Sequence, residues 1–253
     1  MYARTITIIL LIAAATIPAT TALLSVNNAY SSSSASNNNK IPSDSFKLNF
    51  NLKDCQLAPR GANSYFILKP GYQAIFEGKE DKKNHQLTDT VLNETKIVNG
   101  TKVGILEEKE FEEGKLIEIS KNYLAVCRPT NDIFYFGEDV DIYKNGKIVK
   151  QEGLSESWHA GVNNARAGIL IPAKPELGMK YYSEFAPKIA EDKNEIKSLT
   201  DVVDTPAGKF ENVLKVEETT PLEPGVKEYK FWASGTGLIQ DGTLKLVKYV
   251  LPS

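Results

Sequence analysis

The chain has 253 residues, 42% of them hydrophobic and 25% charged, which is the composition of a folded domain rather than of a disordered, collagenous or coiled-coil chain. Its 30 Lys and Arg against 32 Asp and Glu leave no basic excess for phosphates, so nucleic acid is excluded as a partner. Only two Cys and two His argue against most zinc, haem and iron–sulfur centres.

The N-terminus reads as an export signal. Arg4 precedes an apolar run from Ile6 to Ala15, Pro18 ends it, and small residues follow at Ala19 and Ala22. Residues 1–22 are therefore expected to be a signal peptide, the alternative being an uncleaved anchor reaching to about residue 24, the chain's one route to a membrane. Residues 23–45, with four serines from Ser31 and three asparagines from Asn37, are too polar to repay the entropy of ordering and read as a flexible spacer. Residues 46–253 are then a single β domain, placed outside the cytoplasm, secreted or attached to the cell surface.

Export bears on Cys55 and Cys127. In an oxidising compartment the two can close a long loop as a disulfide, and separately buried thiols are the alternative. Asn93 and Asn99 each begin an Asn-x-Thr sequon open to glycosylation. Next along the chain, His85 follows the charged run from Glu77 to Asn84 and reads as part of an exposed turn.

Strand-like alternation then runs through the domain, broken at Asn99-Gly100, Glu113-Gly114, Asn131-Asp132 and Asn145-Gly146. Asn and Gly accept the positive φ of hairpin turns, so four hairpins in succession specify an antiparallel meander. Residues 165–178 carry two glycines and two prolines and read as a crossover loop, while 186–194 is the one place for a short helix. Strands resume to the C-terminus. The fold class is all-β, an antiparallel meander curled into a half-barrel or barrel with at most one short helix.

Four stretches carry a resemblance: YFILKPGYQAIFEG from Tyr65, IFYFGEDVDIYKNGKIV from Ile133, the segment from Ala165, and TPAGKFENVLKVEE from Thr205. The FGEDVDIY-type strand and the Pro-Ala-Gly turn are similar to those of a family of exported prokaryotic proteins that has no assigned activity. The last stretch also resembles curved-sheet envelope proteins. The resemblance implies export and a curved sheet and carries over no catalytic residue.

Two groups of residues are candidates for chemistry. On a strand, Asp139 and Asp141 share a face opposite Glu138, and with Glu152 across the next hairpin they offer oxygen ligands to a hard cation such as calcium. Acid–base work by the same carboxylates, or a solvated hairpin face, are the alternatives. Phe134, Phe136, Tyr182 and Phe231 are expected to line a concave apolar site. The expected function is a non-catalytic binding protein of the cell envelope holding a small apolar or amphiphilic ligand. Its partner is an unidentified small molecule or an envelope component, and no cofactor other than calcium is implied. The competing readings are an acid-residue enzyme or calcium-dependent module at Glu138 to Asp141, and a structural surface protein without a ligand.

Overall fold

Tight turns built on left-handed residues set the architecture. Asn99 (φ 46°), Glu113 (φ 48°) and Asn145 (φ 52°), each followed by a glycine of positive φ, reverse the chain as hairpins between long antiparallel strands. A computed structural model describes residues 45–149 and 157–252, so the expected signal segment, most of the spacer and Glu152 lie outside the described residues.

Thirteen strands form the continuous path of one sixteen-stranded sheet. They are β1 (Gln73–Glu80), β2 (Lys83–Val98), β3 (Thr101–Glu112), β4 (Lys115–Arg128), β5 (Ile133–Lys144), β6 (Arg166–Ile171), β7 (Lys180–Tyr182), β8 (Glu184–Phe185), β9 (Lys193–Thr205), β10 (Gly208–Thr219), β11 (Glu228–Ala233), β12 (Gly237–Asp241) and β13 (Leu244–Val250). Their spatial order is β7-β9-β10-β11-β12-β13-β1-β2-β3-β4-β5-β6-β8. The two edge strands, β7 and β8, are separated only by Ser183, so one continuous stretch of chain borders both edges. The sheet is thereby curled into a nearly closed barrel, which removes the exposed strand edges that invite aggregation. Lys47 adds a parallel bridge beside Tyr181.

The N-terminal part of the domain is stapled to the barrel. Cys55 and Cys127 form a disulfide, and Gln56–Ala58 pairs with the end of β4. Residues 166–171, expected to be loop, instead pair with β5 as β6, because Ala167, Ile169, Leu170 and Ile171 are apolar enough to be buried on both faces. Residues 186–194 are not helical: Ala186 and Ala190 form a bridge around a turn and β9 begins at Lys193.

The core gathers Leu68, Phe76, Leu124, Ile133, Ile171 and Leu214, all fully buried. The outward faces carry polar residues such as Gln86, Thr88, Lys109, Glu195 and Lys197, the reverse of the apolar exterior of a lipid-spanning barrel. Among the described residues no helix is long and apolar enough to cross a membrane.

Candidate functional site

Period-two alternation places His85, Leu87, Asp89 and Val91 of β2 on the buried face, while Gln86, Thr88 and Thr90 face out. His85 is therefore not in an exposed turn. The turn is Asp81-Lys82, both at positive φ, and it delivers His85 directly opposite Gly78 of β1. The imidazole is 5% exposed and surrounded by carboxylates from two strands. Its Nδ1 lies 3.1 Å from Glu110 Oε1 and 3.9 Å from Glu80 Oε2, and its Nε2 lies 3.5 Å from Glu112 Oε2. Glu112 is itself held by Lys83 Nζ at 2.9 Å. Beside this group opens a cleft of about 650 Å³, bounded by Glu77, Lys79, Asn84, His85, Phe111 and Pro206 among others.

Further along the same face the barrel carries a belt of buried polar side chains. Asp89 sits opposite Glu108, Glu108 opposite Ser120, Asn122 opposite Glu138, Asn194 opposite Glu218, and Lys230 opposite Asp241. Asn122 Nδ2 donates to Glu108 Oε2 at 2.5 Å, the Tyr135 hydroxyl lies between Asn122 Oδ1 and Glu138 Oε2, and Trp158 Nε1 donates to Glu184 Oε2 at 3.1 Å. Ionised carboxylates are costly to bury, so the acid form is favoured. Burial pushes Glu108 up to about 7 against the pull of Lys230, and drives Asp89, Glu184 and Asp192 above the usual carboxylate range.

The outer side of β5 holds a second assembly. Asp139 accepts from Lys96 Nζ at 2.7 Å and from the Tyr123 hydroxyl, and contacts His159 Nε2 at 2.9 Å. Burial alone would raise its carboxyl, but Lys96, Tyr123 and His159 together hold it below the usual range. Lys96 also lies 4.2 Å from the Tyr123 ring centre.

The residues singled out in the sequence fall as follows. Glu138 is buried in the belt while Asp139 faces the other side, engaged by Lys96 and His159; Asp141 is exposed opposite Ile119. Phe134 packs edge-on against Phe50, and Tyr182 against Phe46 and Phe185. Phe136 is buried in the hydrophobic cluster, and Phe231 is half-buried with Lys215 against its ring. None of the four lines the cleft beside His85. Asn93 Oδ1 accepts from Arg60 at 2.7 Å, and the Asn99 side chain packs against Gly161.

Sequence reasoning passed over Glu80, Glu110, Lys96 and Tyr123. The parity of His85 with Leu87 and Val91 is the signal that marks it as inward, and it is visible only once β2 is extended back to Lys83.

The fold and its sites define a disulfide-closed, all-β antiparallel barrel with an acidic interior and a histidine-bearing cleft. No family model, no curated protein and no solved structure matches the chain.

Proposed function

We propose that this chain is an exported, non-catalytic binding protein of the cell envelope, and that the cleft beside His85 holds its ligand. The carrying observation is the cleft itself: about 650 Å³, within the size range of small-molecule sites, with charged and amide side chains set beside Phe111 and Pro206. With Phe111, Pro206 and Val247 set beside Glu77, Lys79 and Gln86, this lining suits a small amphiphilic ligand. The disulfide supports export, since such bonds persist in oxidising compartments.

A carboxylate enzyme at 138–141 draws less support, because Asp139 is already engaged by Lys96, Tyr123 and His159 while Asp141 is exposed opposite Ile119. Native mass spectrometry of the full chain isolated from its own envelope tests the binding reading. An intact mass above that of the denatured chain is the expected result; equal masses would count against it.

A further inference from the structure

We propose that Glu80, His85 and Glu110 form a site for a divalent first-row transition metal of the zinc type. This site is independent of the reading of the cleft, whose walls at Glu77, Lys79 and Gln86 lie on the outward face of the sheet while His85 and Glu110 are turned inward.

The donor geometry carries the assignment. One ligand atom from each of the three residues lies within 4.8 Å of the other two. With metal–nitrogen and metal–oxygen bonds of about 2.0–2.2 Å, the corners of a tetrahedral site lie about 3.3–3.6 Å apart. His85 Nδ1 stands 3.1 Å from Glu110 Oε1 and 3.9 Å from Glu80 Oε2, so small side-chain movements in opposite senses bring both edges to that spacing. The ion would take the place of a proton between the imidazole and Glu110.

The surroundings of the donors point the same way. Glu112 Oε2 stands 3.5 Å from His85 Nε2, the nitrogen that does not face the ion. A carboxylate on the far ring nitrogen fixes the tautomer and the ring plane of a metal-bound histidine and raises its basicity. Glu112 is anchored in turn by Lys83. Three protein donors leave a fourth tetrahedral position, which a water completes.

Chemistry selects the class of ion. Calcium and magnesium favour cages made of oxygen, with six or more ligands for calcium, and an imidazole nitrogen among three donors does not suit them. Zinc, cobalt, nickel and copper accept mixed imidazole and carboxylate sets.

The test is a titration of the full-length chain, first freed of metal with a chelator, with Co²⁺ and then Zn²⁺, followed by cobalt visible absorption and by imidazole ¹⁵N NMR. The chain has only two histidines, so one ring responding to metal can be assigned. One equivalent of Co²⁺ should bind, develop d–d bands and perturb a single ring. The response should survive His159→Gln and disappear in His85→Gln. Glu112→Gln should weaken binding about 10–100-fold. Should His85→Gln fail to fold, His159→Gln still decides the matter, because His85 is then the one histidine left. Absence of metal-dependent bands in the wild-type chain, or their loss in His159→Gln, overturns the assignment; so does a His85 ring unresponsive to either ion, the behaviour of an imidazolium clamped by carboxylates. If no metal binds but the chain from the envelope carries an extra mass, the metal falls and the cleft reading stands. If both experiments fail, both readings fall.

Discussion

Lys230 Nζ lies 3.0 Å from Glu218 Oε1, with 4% and 5% of the two side chains exposed, which places an ion pair inside the barrel. Burial opposes the charge on Lys230, yet Glu218 and Asp241 outweigh it and hold the ammonium well above its ordinary range. Removing one partner leaves the other charge buried without compensation, at a cost of about 3–5 kcal/mol. Lys230→Met is expected to lower stability by that order, and adding Glu218→Gln to recover part of the loss. Urea unfolding of the single and double variants measures the difference.

The acidic belt gives a definite sign to the pH dependence. Asp89, Glu108, Glu184 and Asp192 have folded pKa values raised first by burial, with neighbouring carboxylates adding to the effect at Asp89, Glu184 and Asp192. The folded protein therefore keeps protons that the unfolded chain releases above about pH 4.5. The stability they contribute is fully present below that pH and is lost as pH rises through the folded values, at about 1.4 kcal/mol per pH unit for each proton. Stability should fall between pH 5 and pH 8, and Glu108→Gln should flatten the part of the fall below about pH 7. A rise over that interval in urea titrations would contradict the belt's protonation. Asp139 acts in the opposite sense: its lowered pKa adds stability above the unfolded value, lost as pH falls through the folded one, and only slightly because it is half-exposed.

The disulfide closes a loop between residues 72 positions apart. In the chain-entropy account such a cross-link is worth roughly 4 kcal/mol. The Cys55→Ser, Cys127→Ser double variant should lose stability of that order and free the pairing of Gln56–Ala58 with β4. The denaturation midpoint measures the first effect, and hydrogen exchange at Leu57 the second.

Gly137 is the point at which Trp158 approaches β5. Its φ is 132°, and a Cβ there would meet the Trp158 carbonyl oxygen at 2.2 Å and the His159 Cα at 2.8 Å, both backbone atoms. Gly137→Ala should cost about 2–4 kcal/mol through strain and displacement. Trp158 fluorescence should shift as its bond to Glu184 loosens; a variant with wild-type stability and spectrum would rule out this packing.

Much of the barrel was legible in the chain because its hairpins are local chemistry. Asn99-Gly100, Glu113-Gly114 and Asn145-Gly146 announce their turns whatever the rest of the fold does, and the strands at Glu228–Ala233 and Leu244–Val250 lie between clear breakers. The turn at Asp81-Lys82 carries no glycine, and although Asp81 tolerates positive φ, Lys82 does not favour it, so the turn is unmarked and the first third of β2 with His85 stays hidden. Residues 166–171 looked like loop because flanking glycine and prolines outweigh a short apolar strand. The cluster around His85 joins β1, β2 and β3, and the belt joins strands far apart in the chain such as β2 and β11. Curvature brings these together, and hairpin signals do not encode curvature. Glu184, Asp192 and Glu218 are turned inward together by the closed sheet for the same reason.

The most direct test of the cleft as the ligand site is native mass spectrometry on envelope-isolated full-length chain, comparing wild type with Gln86→Trp, which places an indole at the cleft wall, and with Phe231→Trp, away from it. The bound mass should be present in wild type and Phe231→Trp and lost in Gln86→Trp. A bound mass that survives Gln86→Trp, or is lost only in Phe231→Trp, would contradict the assignment.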